Sequence, residues 1–203
     1  MSDQAIEQAD SAADGAVRPR LPGYPDVWIL ICGDMFFFLV YFTVFTVGRI
    51  GSPELFEQGR QYLNPALGFV NTLVLLTSSW FVVRAVMAAS ERRADRVKGN
   101  LLIAMGLGVC FVVAKVLGYV HDASIGDVIT TNPFFSYYFA ITGVHLLHVL
   151  IGLGILAVCV VKARGAAIDD KYVLFIEPGA SFWHMVDLLW VVLFPMFYLL
   201  RGL

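Results

Sequence analysis

Long apolar runs separated by short polar segments dominate the pattern of this chain. Five of them are long enough to cross a bilayer, since about 20 apolar residues in a helix span about 30 Å of hydrocarbon. They lie at about 27–47, 65–89, 100–120, 134–161 and 180–200. Because backbone polar groups must be satisfied within lipid, the pattern predicts an all-α integral membrane bundle of five transmembrane helices that forms one domain, residues 27–203.

The composition agrees with this prediction. Of the 203 residues, 59% are apolar and 15% are charged, and the mean hydropathy is +0.75, which is unlike a soluble domain. Residues 1–26 are the exception, because they are rich in alanine and scattered acids and lack the positive start and apolar core of a secretory signal. We predict that they form a disordered cytoplasmic tail that is not cleaved.

Lysine and arginine are distributed unevenly between the two predicted sides of the membrane. The tail and the loops at 90–99 and 162–179 carry nine of them, whereas the opposite side carries three. Because basic loops stay in the cytoplasm, we expect a cytoplasmic N-terminus and an outside C-terminus in a bacterial inner membrane. The net charge of -2 gives no sign of a nucleic-acid partner.

Ionisable side chains inside the spans are the candidate functional residues, because a charge at mid-helix costs roughly 2.5–3.5 kcal/mol on insertion scales. Asp34 lies in the first span. A spacing of three places His145 and His148 on one face of the fourth span, and His184 and Asp187 on one face of the fifth. A shared interior cluster of these side chains is geometrically possible.

Hydrogen bonds between helices are an equally good reason for polar side chains inside the spans. For each histidine, this structural role and a functional role both stay open. A carboxyl group in lipid that has no cation beside it holds a proton and can relay it, which favours a functional or lipid-related role for Asp34. For Asp187, a structural pairing with His184 and a proton role are both open. Asn71 in the second span is less easily explained, and Lys115 is placed to reach the membrane interface.

Metal and haem binding are the other chemical alternatives. Imidazoles from two helices can hold a haem, and histidines with carboxylates can hold two metals. The chain lacks the ExxH signature of di-iron bundles, and its three cysteines are isolated in three spans. We therefore predict no metal or redox centre in this chain, and a stand-alone haem-binding cytochrome or a proton-coupled transporter using Asp34 and Asp187 remain the less favoured functions.

Four segments together resemble the cytochrome c oxidase subunit III family of haem-copper respiratory complexes. They are WILICGDMFFFLVYF, LNPALGFVNTLVLLTSSW, YYFAITGVHLLHVLIG and FWHMVDLLWVVLF. The resemblance covers about residues 24–200, and its last two motifs are long and specific. Five helices match the short class of this family, whose N-inside arrangement agrees with the distribution of basic residues.

The resemblance implies a non-catalytic subunit that packs beside the catalytic haem-copper subunit I, which holds the haem and copper. It also implies bound phospholipid and support for proton uptake and for the stability of the catalytic subunit. Asp34 corresponds to the membrane-buried carboxylate of the family, with aspartate in place of the usual glutamate. The residues that match the two signature helices are His145, His148, Trp183, His184 and Asp187.

Two features differ from the family's usual pattern. Lys115, Gly118 and Tyr119 stand where the family often has a Gln-x-x-Glu-Tyr end to its helix. The ending DLLWVVLFPMFYLL is similar to the accessory subunit found with bacterial nitric oxide reductases. Nitric oxide is therefore an alternative to oxygen as the acceptor of the complex.

Overall fold

The computed structural model describes residues 25–124, 132–165 and 168–200, and the predicted tail falls almost wholly outside them. These residues form six α-helices, and no strand occurs among them. The helices are α1 (Pro25–Gly51), α2 (Pro53–Gln61), α3 (Pro65–Ser90), α4 (Ala94–Ser124), α5 (Pro133–Gly165) and α6 (Asp170–Phe194). All except α2 are long and apolar enough to span a membrane, which confirms the predicted all-α fold with five transmembrane helices.

Local capping fixes where the membrane helices begin. Asn64 precedes α3 and accepts a hydrogen bond from the backbone N–H of Ala66 at 3.0 Å, while Pro65 occupies the first helical position. Asp169 accepts from the backbone N–H of Tyr172 at 2.9 Å and so starts α6 well ahead of the apolar stretch predicted from 180. Hydropathy places this boundary late because Asp170, Lys171 and Glu177 interrupt the apolar residues in the first turns of α6.

The fifth span ends in an unusual turn. Pro195 closes the α-helical part of α6, and residues Pro195–Leu199 continue as a π-helical turn. Proline lacks the backbone N–H that an α-helix needs inside its hydrogen-bond ladder. The turn brings Tyr198 into the buried end of the bundle, where it takes part in the polar contacts described below.

The short helix α2 was not predicted, because it is shorter than a span and mostly polar. Phe56 anchors it to the core, and the Asn132 side chain donates a hydrogen bond to the Leu55 carbonyl at 2.7 Å. Arg60 Nε donates to Glu57 at 2.9 Å. This hydrogen bond raises the pKa of the Arg60 guanidinium above its usual value, so Arg60 stays charged. Arg60 and Glu57, three residues apart, form an ion pair along one face of α2.

The membrane helices differ sharply in how much of their surface is buried. Helix α6 packs against α3 and α5, and 67% of its apolar segment is buried. Helix α1 leans on α2, α5 and α6, and only 6% of its apolar segment is buried. The core therefore lies around α6, whereas α1 exposes most of its apolar surface.

Trp183 of α6 fills the junction of three helices. A methyl group placed at Gly108 of α4 would lie 2.8 Å from the Trp183 ring, and one placed at Gly152 of α5 would lie 2.7 Å from it. The same group at Gly106 or Gly154 would have no neighbour within 4 Å. Gly108 and Gly152 therefore leave room for the Trp183 ring, whereas Gly106 and Gly154 do not take part in this packing.

We expect Gly152→Ala to destabilise the bundle by about 1–3 kcal/mol, the usual cost of overpacking a filled core. The added carbon has no room unless the large Trp183 ring shifts. Gly154→Ala is the matched control on the same helix, and it should be neutral or stabilising because alanine favours helix by about 1 kcal/mol over glycine. Thermal unfolding of both variants in detergent checks the difference, and equal midpoints would contradict it.

Candidate functional site: two polar groups and a buried lysine

Asp34 of α1 pairs with His148 of α5 inside the membrane-spanning region. The Asp34 Oδ1 and His148 Nε2 atoms are 3.0 Å apart, and the two side chains are 15% and 17% exposed. The other ring nitrogen, Nδ1, lies 2.7 Å from the carbonyl oxygen of Val144. Phe38 meets the imidazole ring edge-on and Phe182 stacks on it, so the pair lies among aromatic side chains.

The contact with the Val144 carbonyl identifies which nitrogen of His148 donates to the backbone. A carbonyl oxygen only accepts, so Nδ1 of His148 must carry a hydrogen to bind Val144. With Nδ1 directed to Val144, Nε2 is the ring nitrogen that faces Asp34 Oδ1. The pair thus brings a carboxyl group and an imidazole nitrogen within hydrogen-bond distance of each other.

A second group forms between α3 and α6 around the hydroxyl of Ser79. His184 Nδ1 is in hydrogen-bond contact with Ser79 Oγ, and the tautomer of the imidazole decides which of the two atoms donates. Asp187 lies about one turn further along α6, and its carboxyl group interacts electrostatically with the Ser79 hydroxyl. The printed contact of His184 is therefore with Ser79 of α3, and the structural and proton roles of Asp187 both stay predictions.

Ser79 is a member of this candidate site that the sequence analysis did not predict. The signal was present, because Ser78 and Ser79 interrupt an apolar run within the LTSSW segment. Serine is a common residue at membrane helix contacts, so it was not singled out. Ser78 has a purely structural contact, since it donates to the Ala104 carbonyl at 2.8 Å.

His145 lies apart from both groups, although it is only three residues from His148. Its ring stacks on Trp190 at 5.3 Å between centroids and meets the edge of Phe111 at 5.9 Å. It is buried, and neither ring nitrogen has a hydrogen-bond partner among the described residues. The polar residues therefore divide between separate helix contacts and do not build the single cluster that the spacing allowed.

No three of the described histidine, cysteine, aspartate and glutamate side chains come together in an arrangement that could hold a metal ion. Trp183, which the motif places beside His184, is buried with its indole N–H without a partner in the described part of the chain. Its main contacts are the glycines of α4 and α5. Trp183 is thus a packing residue rather than a member of either polar group.

The expectation that Lys115 reaches the membrane interface is wrong. The side chain is 4% exposed and donates a hydrogen bond from Nζ to the Tyr138 hydroxyl at 2.8 Å. The rings of Tyr119, Tyr138 and Trp190 surround its ammonium group. Asn71, the unexplained residue of the second span, lines the same cavity as Lys115.

The family model of cytochrome c oxidase subunit III matches residues 24–201. This chain belongs to the cytochrome c oxidase subunit III family. As a member of that family it is a multi-pass membrane protein and a non-catalytic subunit of a haem-copper oxidase complex.

Individual subunit III sequences give the same result. The cytochrome c oxidase subunit 3 of Synechocystis sp. is 28% identical, covering 88% of this chain and 78% of the relative. The proteins of the same name from Gallus gallus and Aedes aegypti are 31% and 27% identical, each covering 84% of this chain and 66% of the relative. This chain thus spans about two thirds of the length of these two subunit III proteins.

Proposed function

We propose that this subunit supports proton uptake by the catalytic haem-copper subunit I and stabilises it, with the Asp34–His148 pair as the proton-holding site. The observation that carries the proposal is the contact of 3.0 Å between the Asp34 carboxyl group and the His148 imidazole inside the membrane-spanning region. Ionisable residues inside membrane helices commonly mark proton relays. Haem and copper belong to the partner subunits in this proposal.

The position of the pair supports this role. Asp34 lies about seven residues inside the first span, so it is roughly 10 Å from the helix end that carries the predicted cytoplasmic tail. The second oxygen, Asp34 Oδ2, has no hydrogen-bond partner among the described residues. A water or a partner group that reached this oxygen would connect the pair to the cytoplasmic side.

The exposed face of α1 supports an assembly role. Large apolar side chains such as Ile29, Phe36 and Leu39 are exposed along it. Lipid acyl chains or an apolar helix of the catalytic subunit would cover such a face. We therefore place bound phospholipid and the catalytic subunit around the bundle, in a bacterial inner membrane with the N-terminus in the cytoplasm, as the nine basic residues on that side suggest.

Co-purification tests the proposed function. We expect the tagged chain, expressed at its native level and extracted in mild detergent, to bring down a partner with a haem absorption spectrum. The electron acceptor that this partner reduces, oxygen or nitric oxide, decides between the two branches of the family. Recovery of this chain alone, with an intact oxidase elsewhere in the membrane, would contradict the proposal, and a haem spectrum in the isolated chain would favour a cytochrome.

A further inference from the structure

Asp187 of α6 is a carboxyl group buried inside the membrane-spanning helices. It is 7% exposed, and its Oδ1 atom has no hydrogen-bond partner among the described residues. None of the ion pairs between described residues includes it. An ionised carboxyl group is costly to bury without a cation beside it, so this position favours the neutral acid, which holds a proton.

The groups around Asp187 come from three other helices. Lys115 of α4 lies 5.1 Å from the ring centre of Trp190, and His145 of α5 stacks on the same ring. Both contact Trp190, which follows Asp187 by about one turn of α6. From α3, the group that interacts with the Asp187 carboxyl is the Ser79 hydroxyl. A hydroxyl group can accept one proton while it donates another.

The same hydroxyl group is in contact with His184. Ser79 Oγ and His184 Nδ1 form a hydrogen bond, and Ser79 is buried whereas His184 is half-buried. His184 lies about four residues inside the predicted start of the fifth span at 180, roughly 6 Å along the helix. Its imidazole is therefore nearer than Asp187 to water at the predicted cytoplasmic surface.

This group is separate from the Asp34–His148 pair. Phe182 of α6 stacks on His148, whereas Asp187, five residues later, interacts with Ser79 of α3. Five residues turn an α-helix by about 140° beyond a full turn, so the two groups lie on different sides of α6. A substitution in one group can therefore leave the contacts of the other intact.

We propose that Asp187 is a second proton-holding carboxyl group, which exchanges its proton with the membrane surface through the Ser79 hydroxyl and the His184 imidazole. In release, the carboxyl group passes its proton to Ser79 Oγ, the hydrogen of Ser79 moves to His184 Nδ1, and a proton leaves Nε2 to water at the surface. The carboxyl group is then ionised and the imidazole is neutral. The reverse steps reload the site, which rests on the proposed support of proton uptake but not on the Asp34–His148 pair.

Infrared spectroscopy of the purified full chain in detergent tests the first part of the proposal. A protonated carboxyl group has a carbonyl stretching band that a carboxylate lacks, and this band should disappear in Asp187→Asn at neutral pH. If Asp187→Asn does not fold, aspartate labelled with ¹³C at the side-chain carboxyl identifies the band in the Asp34→Asn chain. Asp34 is the other described aspartate deep inside a span.

Transfer into heavy water tests the relay, because the band shifts when the Asp187 proton is exchanged for deuterium. We expect exchange about a hundredfold slower in Ser79→Ala, the usual contribution of a positioned proton-transferring group. Ser78→Ala is the matched control, since the Ser78 hydroxyl donates to the Ala104 carbonyl. His184→Gln keeps a hydrogen-bonding side chain that does not titrate, and it should slow the exchange as strongly as Ser79→Ala.

The absence of a protonated Asp187 band would overturn the proposal, because the carboxyl group would then be ionised. Equal exchange rates in Ser79→Ala and Ser78→Ala would also overturn it, since the proton would then not pass through Ser79. The isolated chain is used, so neither result depends on recovery of the haem-containing partner. Failure of the proposed function and failure of this site are therefore distinguishable.

Discussion

Trp183→Ala should lower the free energy of unfolding by about 3–5 kcal/mol, the usual cost of removing a fully buried aromatic ring. Trp183 is 1% exposed and fills the space that Gly108 and Gly152 leave between α4, α5 and α6. Those glycines have no side chains that could move into the vacated volume. Unfolding of the purified chain in detergent, followed by far-UV circular dichroism, measures the loss.

Trp80→Ala is the control for this substitution. Trp80 is 54% exposed on α3, where the guanidinium of Arg84 lies over its ring and the ring of Phe81 meets it edge-on. Its removal leaves no internal cavity, so we expect a change within about 1 kcal/mol, as for most surface substitutions. A loss equal to that of Trp183→Ala would contradict the conclusion that Trp183 connects the three helices.

His148→Leu should be almost as harmful, with an expected loss of about 3–5 kcal/mol, because it leaves the buried Asp34 carboxyl group without its partner. Asp34→Leu should also destabilise, since it leaves Nε2 of His148 unpaired. Replacing both residues by leucine should cost less than either single change, because no polar atom of the pair then remains buried. A double variant whose loss equals the sum of the two single losses would show that the pair contributes no mutual stabilisation.

Asp34→Asn distinguishes the contribution of Asp34 to stability from its proposed role in proton uptake. The asparagine amide can still donate to Nε2 of His148, so the complex should assemble normally. The amide does not titrate, so we expect altered activity of the complex during sustained turnover. Unchanged activity over a broad pH range would reduce Asp34 to a structural contact.

The sequence predicted which polar residues lie inside the membrane helices, but not which residues they contact. Asp34, His145, His148, His184 and Asp187 were found because charge and imidazole are costly in lipid. Their partners were not found, since the period of a helix fixes only which residues share its own face. His145 and His148 are only three residues apart, yet His148 contacts Asp34 of α1 whereas His145 stacks on Trp190 of α6.

The position of Lys115 also could not be predicted from the sequence, because its side chain is buried where exposure was expected. Its position near the end of a span favoured a side chain that extends to the interface. The structure turns it inwards, because Tyr119, Tyr138 and Trp190 from three helices supply aromatic faces and a hydroxyl that replace water. Two of these residues lie on helices other than that of Lys115, so no local pattern could reveal them.

The sequence by itself determined the five membrane helices, because bilayer thickness sets their length and hydropathy marks them directly. Its motifs also determined the family. The tertiary structure alone decided that Asp34 meets His148, that His184 contacts Ser79, and that Lys115 faces a cavity. Those contacts depend on how helices distant in sequence are rotated and placed against each other, and that arrangement results from packing around residues such as Trp183.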